Sequence, residues 1–445
     1  MKKILIKLLA LAAILGTTAN DALALQVYSR GPLLNDPQRE EAFMDWGLGM
    51  FVHWSLDSQL GSVISHSMVG ASDDYVNRYV NELPKTFNPR NYDPDAWMEI
   101  AKLAGVKYMV FTTKHHNGFC MWDTKTTDFN IMNTPYAQDI VRAYVDACRR
   151  HGIKVGFYFS PEDFIFQYNN GLDIRRSAGR MSDGLTELGD YNKQQLDELF
   201  TNYGDIDVVF FDGRGMEELT QYIHQLQPEC LVTRGEMETP EQKLPKEPLP
   251  GPWESCFTLG NQWQFKPTNE NYKSGGQLIN MLIETRAKGG NLLINVGPDP
   301  LGVIPFEQDR RFRELALWMF INGESIHDVR PCEIIGDDGI YYTQSKDGSS
   351  VYAFMTQFSN GKNRWKYGER KHILLKDLRA TSTTEISVLG QNSQFLEYQP
   401  DAEPQSTFQQ TENGLEVSVM RAQRIYNNRS WPNTVVVKLN NVEFK

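Results

Sequence analysis

The chain has few cysteines, five in 445 residues, and no two of them form a C-x-x-C pair. Without closely spaced ligands of this kind a zinc site is not indicated, and we expect no bound metal. Disulfide-built domains are short and dense in cysteine, so this long chain with scattered cysteines is not one of them. We expect most of the thiols to be small buried groups; they are Cys120, Cys148, Cys230, Cys256 and Cys332.

Positive charge is also scarce. Asp and Glu number 56 against 45 Lys and Arg, which gives a formal net charge of −11. A surface of this sign repels phosphate backbones, so a nucleic-acid partner is not expected. The phosphate-binding loop, the dinucleotide-binding glycine motif, the G-x-S-x-G nucleophile turn and the H-E-x-x-H zinc motif are absent. Their absence removes the commonest competing enzymes, and nothing in the sequence indicates a cofactor.

Only one long hydrophobic run occurs, and it stands near the start of the chain. The run from Ile4 to Leu15 is broken only by Lys7 and is too short to cross a bilayer. Lysines precede it, and Ala22-Leu23-Ala24 places small residues at the positions that a signal peptidase reads. We therefore predict a signal peptide over residues 1–24, cleaved near Ala24. The mature protein is expected to be exported, either periplasmic or secreted, and to have no membrane span.

From about residue 46 to residue 300, short β-rich runs alternate with longer amphipathic segments. Continuous apolar strands that alternate with helices indicate a parallel sheet covered on both faces. Polar side chains stand at the carboxyl ends of several strands, and a closed barrel brings all such ends to one mouth. We therefore predict a (β/α)8-like TIM barrel over residues 25–335. Its strands include 49–54, 108–112, 154–159, 207–211 and 289–298, and its helices include 95–103, 139–151, 191–200 and 306–322.

The pattern changes after about residue 335, where short β-rich runs are separated by turn residues. This pattern is typical of an antiparallel sandwich, so we predict a C-terminal all-β sandwich over residues 336–445. Before the late barrel strand, residues 236–251 are rich in Pro, Glu and Lys. They predict an exposed loop that arches over the barrel mouth.

Two acidic residues stand where cleavage of a glycoside would need them. Retaining glycosidases hold two carboxyl groups about 5–5.5 Å apart; one attacks the sugar and the other protonates the leaving oxygen. Asp212 ends an apolar run and precedes Gly213, which suits a nucleophile, although an Asp that caps the next helix gives the same pattern. Glu254 follows Trp253 in an aromatic setting that would raise the pKa of a general acid, although a Glu on a loop flank would look alike.

Neutral hydrogen-bond partners for a sugar are also available. His115 and His116 follow Lys114 at a predicted strand end, where both rings can turn into a pocket. Each could equally be a core histidine, and no nearby residue completes a metal site. Flat apolar faces for a sugar ring could come from tryptophans, although each is singly more typical of the core; they are Trp46, Trp54, Trp122 and Trp263.

Six motifs in the right order resemble glycoside hydrolase family 29, the retaining α-L-fucosidases. They cover roughly residues 40 to 325 and are Trp46–Trp54, Ala101–Phe119, Trp122-Asp123, Phe210–Gly213, Trp253–Thr258 and Gly290–Pro298. The resemblance implies a barrel with a trailing β-sandwich, an exo-acting retaining glycosidase that needs no metal, and a fucosylated oligosaccharide or glycoconjugate as substrate. Asp212 would be the nucleophile and Glu254 the acid/base. The fucose pocket would be lined by His53, His115, His116, Tyr158, Trp263 and Arg234.

The chain departs from the family pattern at four places. Asn117 stands where Asp is usual, Phe210 replaces a common Trp, Ser55 replaces Gly, and residues 65–67 replace a segment that often holds Glu. These changes leave the choice of sugar open. The alternatives are a hydrolase of a related sugar, such as an α-L-galactoside, and a non-catalytic fucose-binding protein of the same fold. The sequence leaves the oligomeric state undetermined.

Overall fold

The computed structural model describes residues 35–176, 186–213, 216–337, 339–359, 364–424 and 434–445. The predicted signal peptide lies outside these residues. No helix in the described part of the chain is both long and apolar enough to traverse a lipid bilayer. All five cysteines lie in the described ranges, and all are buried and free, which confirms the expected role of these thiols.

Helices and strands alternate through the first three quarters of the described chain. The strands are β1 (Leu48–Val52), β2 (Tyr108–Lys114), β3 (Lys154–Phe159), β4 (Val208–Phe211), β5 (Leu231–Val232), β6 (Glu254–Thr258) and β7 (Asn291–Val296). The helices are α1 (Pro37–Trp46), α2 (Asp73–Asn81), α3 (Pro94–Leu103), α4 (Ile140–His151), α5 (Phe164–Asn169), α6 (Thr186–Asn202), α7 (Met216–Leu226), α8 (Gly275–Ala287) and α9 (Phe306–Asn322). Short 3-10 turns cover Leu56–Gln59, Ile64–His66, Leu83–Thr86, Ile131–Asn133, Gly323–Ser325 and Thr356–Phe358.

The seven strands form one parallel sheet in the order β5-β4-β3-β2-β1-β7-β6. Side chains from all seven strands meet in a single buried cluster, which requires the sheet to curl until its two edges face each other. This arrangement confirms the predicted barrel. The described residues of β5 and β6 do not pair directly; residues 237–242 run between them, with backbone bridges from Glu238 to Trp253 and from Glu241 to Cys256.

Local sequence signals account for several helix ends. Asp93 caps α3 through its side chain, and Pro94 occupies the first turn, where a missing N–H costs nothing. Asp139 caps α4, and Gly152 ends it in the left-handed conformation (φ 68°), which glycine adopts without strain. These ends agree with the predicted helices to within one residue.

One buried helix escapes prediction because it lacks a clean apolar stripe. Helix α8 begins with Gly275 and Gly276 and is buried on almost every side, so its polar and apolar residues do not alternate with the helical period. Its start is fixed instead by a capping box between Ser274 and Gln277. Helices α1, α2, α5 and α7 are also additional to the predicted set, although α2 and α7 do each bury one apolar face.

The C-terminal part consists of antiparallel strands. They are β8 (Val329–Asp337), β9 (Ile340–Ser345), β10 (Ser350–Met355), β11 (Arg370–Leu375), β12 (Leu378–Val388), β13 (Thr407–Thr411), β14 (Gly414–Met420) and β15 (Val436–Phe444). Five of them form a sheet in the order β12-β15-β10-β9-β8, and three form a sheet in the order β11-β14-β13. Side chains from both sheets share one apolar core, so the sheets stack face to face as the predicted sandwich.

Candidate active site

The carboxylate of Asp212 lies at the centre of a pocket at the carboxyl ends of the barrel strands. The Tyr158 hydroxyl donates to Asp212 Oδ2 over 2.8 Å, and His116 Nε2 lies 3.4 Å from the same oxygen. Arg234 Nη1 and Arg176 Nη2 approach Oδ1 at 3.3 Å and 3.5 Å. Burial by itself would raise the pKa of Asp212, but the His116 contact and the two guanidinium charges outweigh burial and hold the pKa well below its usual range. The carboxylate is therefore ionised and can attack an electrophilic carbon.

Two histidines on neighbouring strands present opposite hydrogen-bonding groups to the pocket. The side-chain amide of Asn295 donates to the carbonyl of Trp263, which turns its oxygen toward His53 Nδ1 at 2.6 Å. His53 Nδ1 therefore carries the hydrogen, and Nε2 keeps its lone pair. His115 is the reverse case, because its Nδ1 accepts from the backbone N–H of His116 over 2.8 Å and its Nε2 carries the hydrogen. Burial lowers the pKa of His53 to about 3 and that of His115 well below its usual value, so both rings are neutral.

His116 does not line the pocket; it supports the nucleophile from behind. The ring is fully buried. The Ser160 hydroxyl donates to the carbonyl of Glu162 over 2.8 Å, so it accepts from His116 Nδ1–H over 2.6 Å. This contact orients the imidazole and leaves Nε2 as the ring atom that faces Asp212.

Apolar and aromatic side chains also line the pocket. The ring of Tyr158 stacks on that of His115 with centroids 4.9 Å apart, and Trp263 packs against His53 with centroids 4.8 Å apart. The floor is contributed by the inward side chains of three strands, Phe51, Phe210 and Cys256. The pocket therefore combines a few fixed polar groups with a flat apolar base, which suits a small ring-shaped ligand.

A second carboxylate reaches this pocket, and it belongs to Glu241. Arg234 Nη1 lies 3.3 Å from Asp212 Oδ1 and 3.1 Å from Glu241 Oε2. Arg234 is held in place by Nε–H donation to the Thr239 hydroxyl over 3.0 Å and by its packing over the Phe210 ring at 4.5 Å. Because one nitrogen touches both acids, the two oxygens are no farther apart than the two contacts laid end to end, about 6.4 Å.

The structure does not bring Glu254 to the pocket, which contradicts its predicted role. Glu254 opens β6 opposite Asn291, the first residue of β7, whereas Cys256 is the residue of β6 that lines the pocket. Two residues of extended chain, about 7 Å, separate Glu254 from Cys256 along the strand. The side chain points into the barrel one layer beneath Cys256, is fully buried, and accepts from the Tyr108 hydroxyl over 2.6 Å. The sequence motif correctly indicated a carboxyl group in apolar surroundings, but this group lies beneath the pocket floor and not inside the pocket.

Trp122 is also misplaced by the sequence reasoning. It is fully buried in the outer core, where its Nε1–H donates to Glu198 Oε2 over 2.9 Å. Trp54 packs against Trp97 outside the sheet, and Trp46 packs against Tyr108 inside the closed end of the barrel. Trp263 alone of the four candidate tryptophans lines the pocket.

Sequence reasoning missed three polar residues that line the pocket: Ser65, Arg176 and Glu241. All three lie on connections outside the regular strands, so no hydrophobic period marks them. Glu241 did carry one usable signal, since it lies in the segment 236–251 that was predicted to arch over the mouth. The signal is weak because that segment holds several other acidic residues.

The departure at Asn117 leaves the pocket unchanged. Its amide donates to the Ser55 hydroxyl over 3.0 Å and to the Tyr79 hydroxyl over 3.1 Å, and its oxygen accepts from the backbone of Phe119. Asn117 is fully buried behind the pocket wall. A neutral residue at this place therefore joins loops beneath the site instead of touching a ligand.

Ligand atoms of His115, His116 and Asp212 lie within 4.8 Å of one another, which is close enough to surround a metal ion. The hydrogen-bond pattern argues against that use. His115 Nδ1 is occupied by a backbone N–H and its Nε2 carries a hydrogen, so neither nitrogen offers a lone pair. The cluster is better suited to holding hydroxyl groups.

Comparisons with known proteins agree with this geometry. A family model described as "Alpha-L-fucosidase" matches residues 28–324. The crystal structure of α-L-fucosidase isoenzyme 1 from Paenibacillus thiaminolyticus is 29% identical, with a TM-score of 0.72 over 92% of this chain and 99% of that chain. An α-L-fucosidase of Dictyostelium discoideum is 24% identical over 78% of both chains. The tissue α-L-fucosidase of Bos taurus is 26% identical over 68% of this chain and 67% of its own length.

Proposed function

The chain belongs to the α-L-fucosidase family, and from this premise we propose that it is an exo-acting, retaining α-L-fucosidase whose nucleophile is Asp212 and whose general acid/base is Glu241. The observation that carries the proposal is the pair of carboxylates joined by Arg234. Their nearest oxygens lie within about 6.4 Å of each other, in the same pocket. Retaining enzymes hold their carboxyls about 5–5.5 Å apart, whereas inverting enzymes need more room for a water molecule.

The two acids can take the two parts of a double displacement. Asp212 Oδ2 attacks the anomeric carbon while the bond from that carbon to the leaving oxygen breaks, and Glu241 gives its proton to the leaving oxygen. Glu241, now a carboxylate, then takes a proton from water, and the hydroxide oxygen displaces Asp212 from the anomeric carbon. Asp212 accepts contacts from cationic groups and Tyr158, which keep it ionised, while Glu241 is exposed at the open side, from which a leaving group can depart.

The remaining pocket groups suit a deoxy sugar. A hydroxyl group both donates and accepts, so the lone pair of His53 Nε2 and the N–H of His115 can bind neighbouring hydroxyls in complementary directions. Trp263 offers a flat face beside them. The floor of Phe51, Phe210 and Cys256 lacks a strong hydrogen-bond partner, which favours the methyl group of fucose over the hydroxymethyl group of L-galactose.

A panel of fucosylated oligosaccharides and of nitrophenyl α-L-fucoside and α-L-galactoside tests the proposal. We expect release of fucose, with the α anomer appearing first by NMR, and slower release of L-galactose. First appearance of the β anomer would contradict double displacement at Asp212. Faster release of galactose would favour the related-sugar alternative, and tight fucose binding without turnover would favour a non-catalytic binding protein.

The natural substrates under this proposal are fucosylated oligosaccharides or glycoconjugates that the enzyme meets outside the cytoplasm. The support for export is the sequence pattern of residues 1–24, since these residues lie outside the described part of the chain. Expression of the full chain, followed by N-terminal sequencing of the exported protein, should give a start at residue 25. An unprocessed N-terminus retained in the cell would contradict it.

A further inference from the structure

Glu254 is a buried acid that the proposed reaction does not use. Its Oε2 accepts from the Tyr108 hydroxyl over 2.6 Å, and the side chain of Thr233 approaches it as well. Beyond this approach, Glu254 Oε1 and Thr233 Oγ1 both lack a hydrogen-bond partner, although both are buried. A hydrogen bond between these two oxygens would satisfy both, because an unsatisfied buried polar group is costly.

The surroundings of Glu254 favour the neutral acid. The side chain is fully buried, and among the described residues its only close partners are the two hydroxyl groups, with no cation in contact. An ionised carboxyl would therefore leave a negative charge in the barrel interior without a compensating charge. Burial correspondingly raises the pKa of Glu254, and the hydrogen bonds from Tyr108 and Thr233 offset it only in part.

The place of this acid in the barrel gives it a role. Glu254 and Thr233 lie on the two sides of the gap between β5 and β6, which residues 237–242 fill. The backbone of Glu254 donates to the Glu238 carbonyl over 3.2 Å, and Met237 donates to the Thr233 carbonyl over 2.8 Å. This gap segment, residues 237–242, carries Glu241, and Arg234 follows Thr233 directly.

We propose that Glu254 is a positioning residue, which as a neutral carboxylic acid links Tyr108 to Thr233 across the gap and thereby sets the places of Arg234 and Glu241. The proposal rests on the proposed function, because it assumes that Glu241 is the acid/base. It assigns Glu254 no contact with substrate. A displacement of Glu241 by about 1 Å would then lower the rate by a factor on the order of a hundred.

The conservative variant Glu254→Gln separates this role from a catalytic one. A glutamine can accept from Tyr108 through its oxygen and donate to Thr233 through its amide, so we expect E254Q to keep most of the wild-type kcat and an unchanged pH profile. Glu254→Leu cannot make either bond, so we expect kcat on poor leaving groups to fall by a factor on the order of a hundred, with a smaller change in KM. Azide should not restore the activity of E254L.

Infrared difference spectra between wild type and E254Q give a readout that does not depend on activity. At neutral pH we expect the carbonyl stretch of a protonated carboxylic acid in the wild type, sensitive to deuterium exchange and absent from E254Q. The matched variant Thr233→Val should shift that band, because it removes the hydroxyl group that faces the carboxyl.

Two results would overturn the proposal. One is the absence of the carboxylic acid band, which would show Glu254 to be ionised. The other is a loss of turnover in E254Q together with rescue of Glu254→Ala by azide, which would make Glu254 the acid/base. If wild-type enzyme releases no fucose at all, the proposed function fails, while the infrared test of Glu254 still applies.

Discussion

At the scale of single residues, the site depends on how neighbours determine the charge of each acid. Asp212 has cationic and hydroxyl neighbours and is held as an anion, whereas Glu254 has no cation in contact and favours a proton. Asp212 is partly buried and Glu254 is fully buried in the same barrel. The difference in their chemistry therefore comes from their partners and their depth together.

Replacement of Asp212 by Asn or Ala should abolish turnover, because no other group can form the covalent intermediate. We expect kcat to fall by at least about a thousandfold in assays with nitrophenyl α-L-fucoside. Asp205→Asn is a suitable control, since Asp205 is exposed and precedes the same strand. Circular dichroism should show that the fold is retained. A kcat close to that of the wild type in either Asp212 variant would contradict the assignment.

Replacement of Glu241 by Ala should reduce activity most on substrates whose leaving group must be protonated. On oligosaccharides, which have poor leaving groups, we expect a loss on the order of 10²- to 10⁴-fold, with a much smaller loss on nitrophenyl substrates. Azide should restore turnover by attacking the fucosyl-enzyme without a general base. Glu247→Ala, an exposed acid on the same loop, serves as the control and should behave as wild type. An equal loss on all substrates without azide rescue would rule out this role.

At the scale of elements, the loop after β1 is attached to its neighbours through a second buried carboxyl. Asp57 is fully buried in the turn Leu56–Gln59 and accepts from the Ser62 hydroxyl over 3.3 Å, while Tyr79 and Gln264 also bond to it. Gln264 adjoins Trp263 and donates to the Ser62 carbonyl over 2.9 Å. Through these contacts one acid joins the loop after β1 to α2 and to the segment that carries the pocket tryptophan.

The pKa of Asp57 predicts a stability effect with a definite sign. Burial raises this pKa to about 6, so the folded state holds its proton more tightly than the unfolded chain does. Stability from this group is thus present at low pH and is lost as pH rises through the interval from about 4 to about 6. The loss between pH 4.5 and 7.5 is about 2 kcal/mol. The unfolding free energy can be measured by denaturant titration at pH 4.5 and at pH 7.5. In Asp57→Asn its decrease between these two pH values should be smaller than in wild type by about 2 kcal/mol. An equal decrease in both proteins would contradict the prediction.

A glycine beside the pocket is tightly constrained. Gly118 has φ of 82°, and a methyl group there would lie 2.4 Å from an oxygen of Asp163, the acid that caps α5 and pairs with Lys114. We expect Gly118→Ala to destabilise the protein by roughly 1–3 kcal/mol, from left-handed strain and displacement of Asp163. Gly152→Ala also has positive φ but open space around it, so it provides a control for the strain alone. Equal destabilisation by both variants would exclude a contribution from Asp163.

At the scale of the whole molecule, the barrel and the sandwich share apolar core. Trp318 of α9 is fully buried, donates to the Thr434 carbonyl over 2.9 Å, and lies beside Phe354 of β10 with ring centroids 6.5 Å apart. A single cluster of buried side chains runs from the barrel helices into the sandwich. The division of the chain at residues 335 and 336 stays a prediction, but this shared core argues that the two parts unfold together.

Scanning calorimetry should therefore show one transition for the mature protein. Trp318→Ala should lower the unfolding free energy by about 3–5 kcal/mol. The single transition should move to a lower temperature without splitting into two. Trp365→Ala, which empties a site inside the sandwich core, is the matched control for loss of the same volume. Two separate transitions in wild type, or a Trp318 variant in which only the barrel melts early, would show that the parts are independent.

The sequence by itself determined most of the barrel strands, the barrel and the position of Asp212 at its mouth, because these depend on local order. The apolar runs before His53, Lys114, Tyr158 and Asp212 fix both the strands and the mouth at which they end. The position of a residue along its strand could also follow from the local sequence, yet Glu254 was misplaced. Only the register of β6 against β7 reveals that Glu254 is the first residue of its strand and lies beneath the mouth. Only the tertiary structure decided which second acid meets Asp212. Glu241 and Arg176 lie on irregular connections whose course is set by long-range packing and by contacts with Arg234 and Glu162, and no periodic pattern in the chain encodes such contacts.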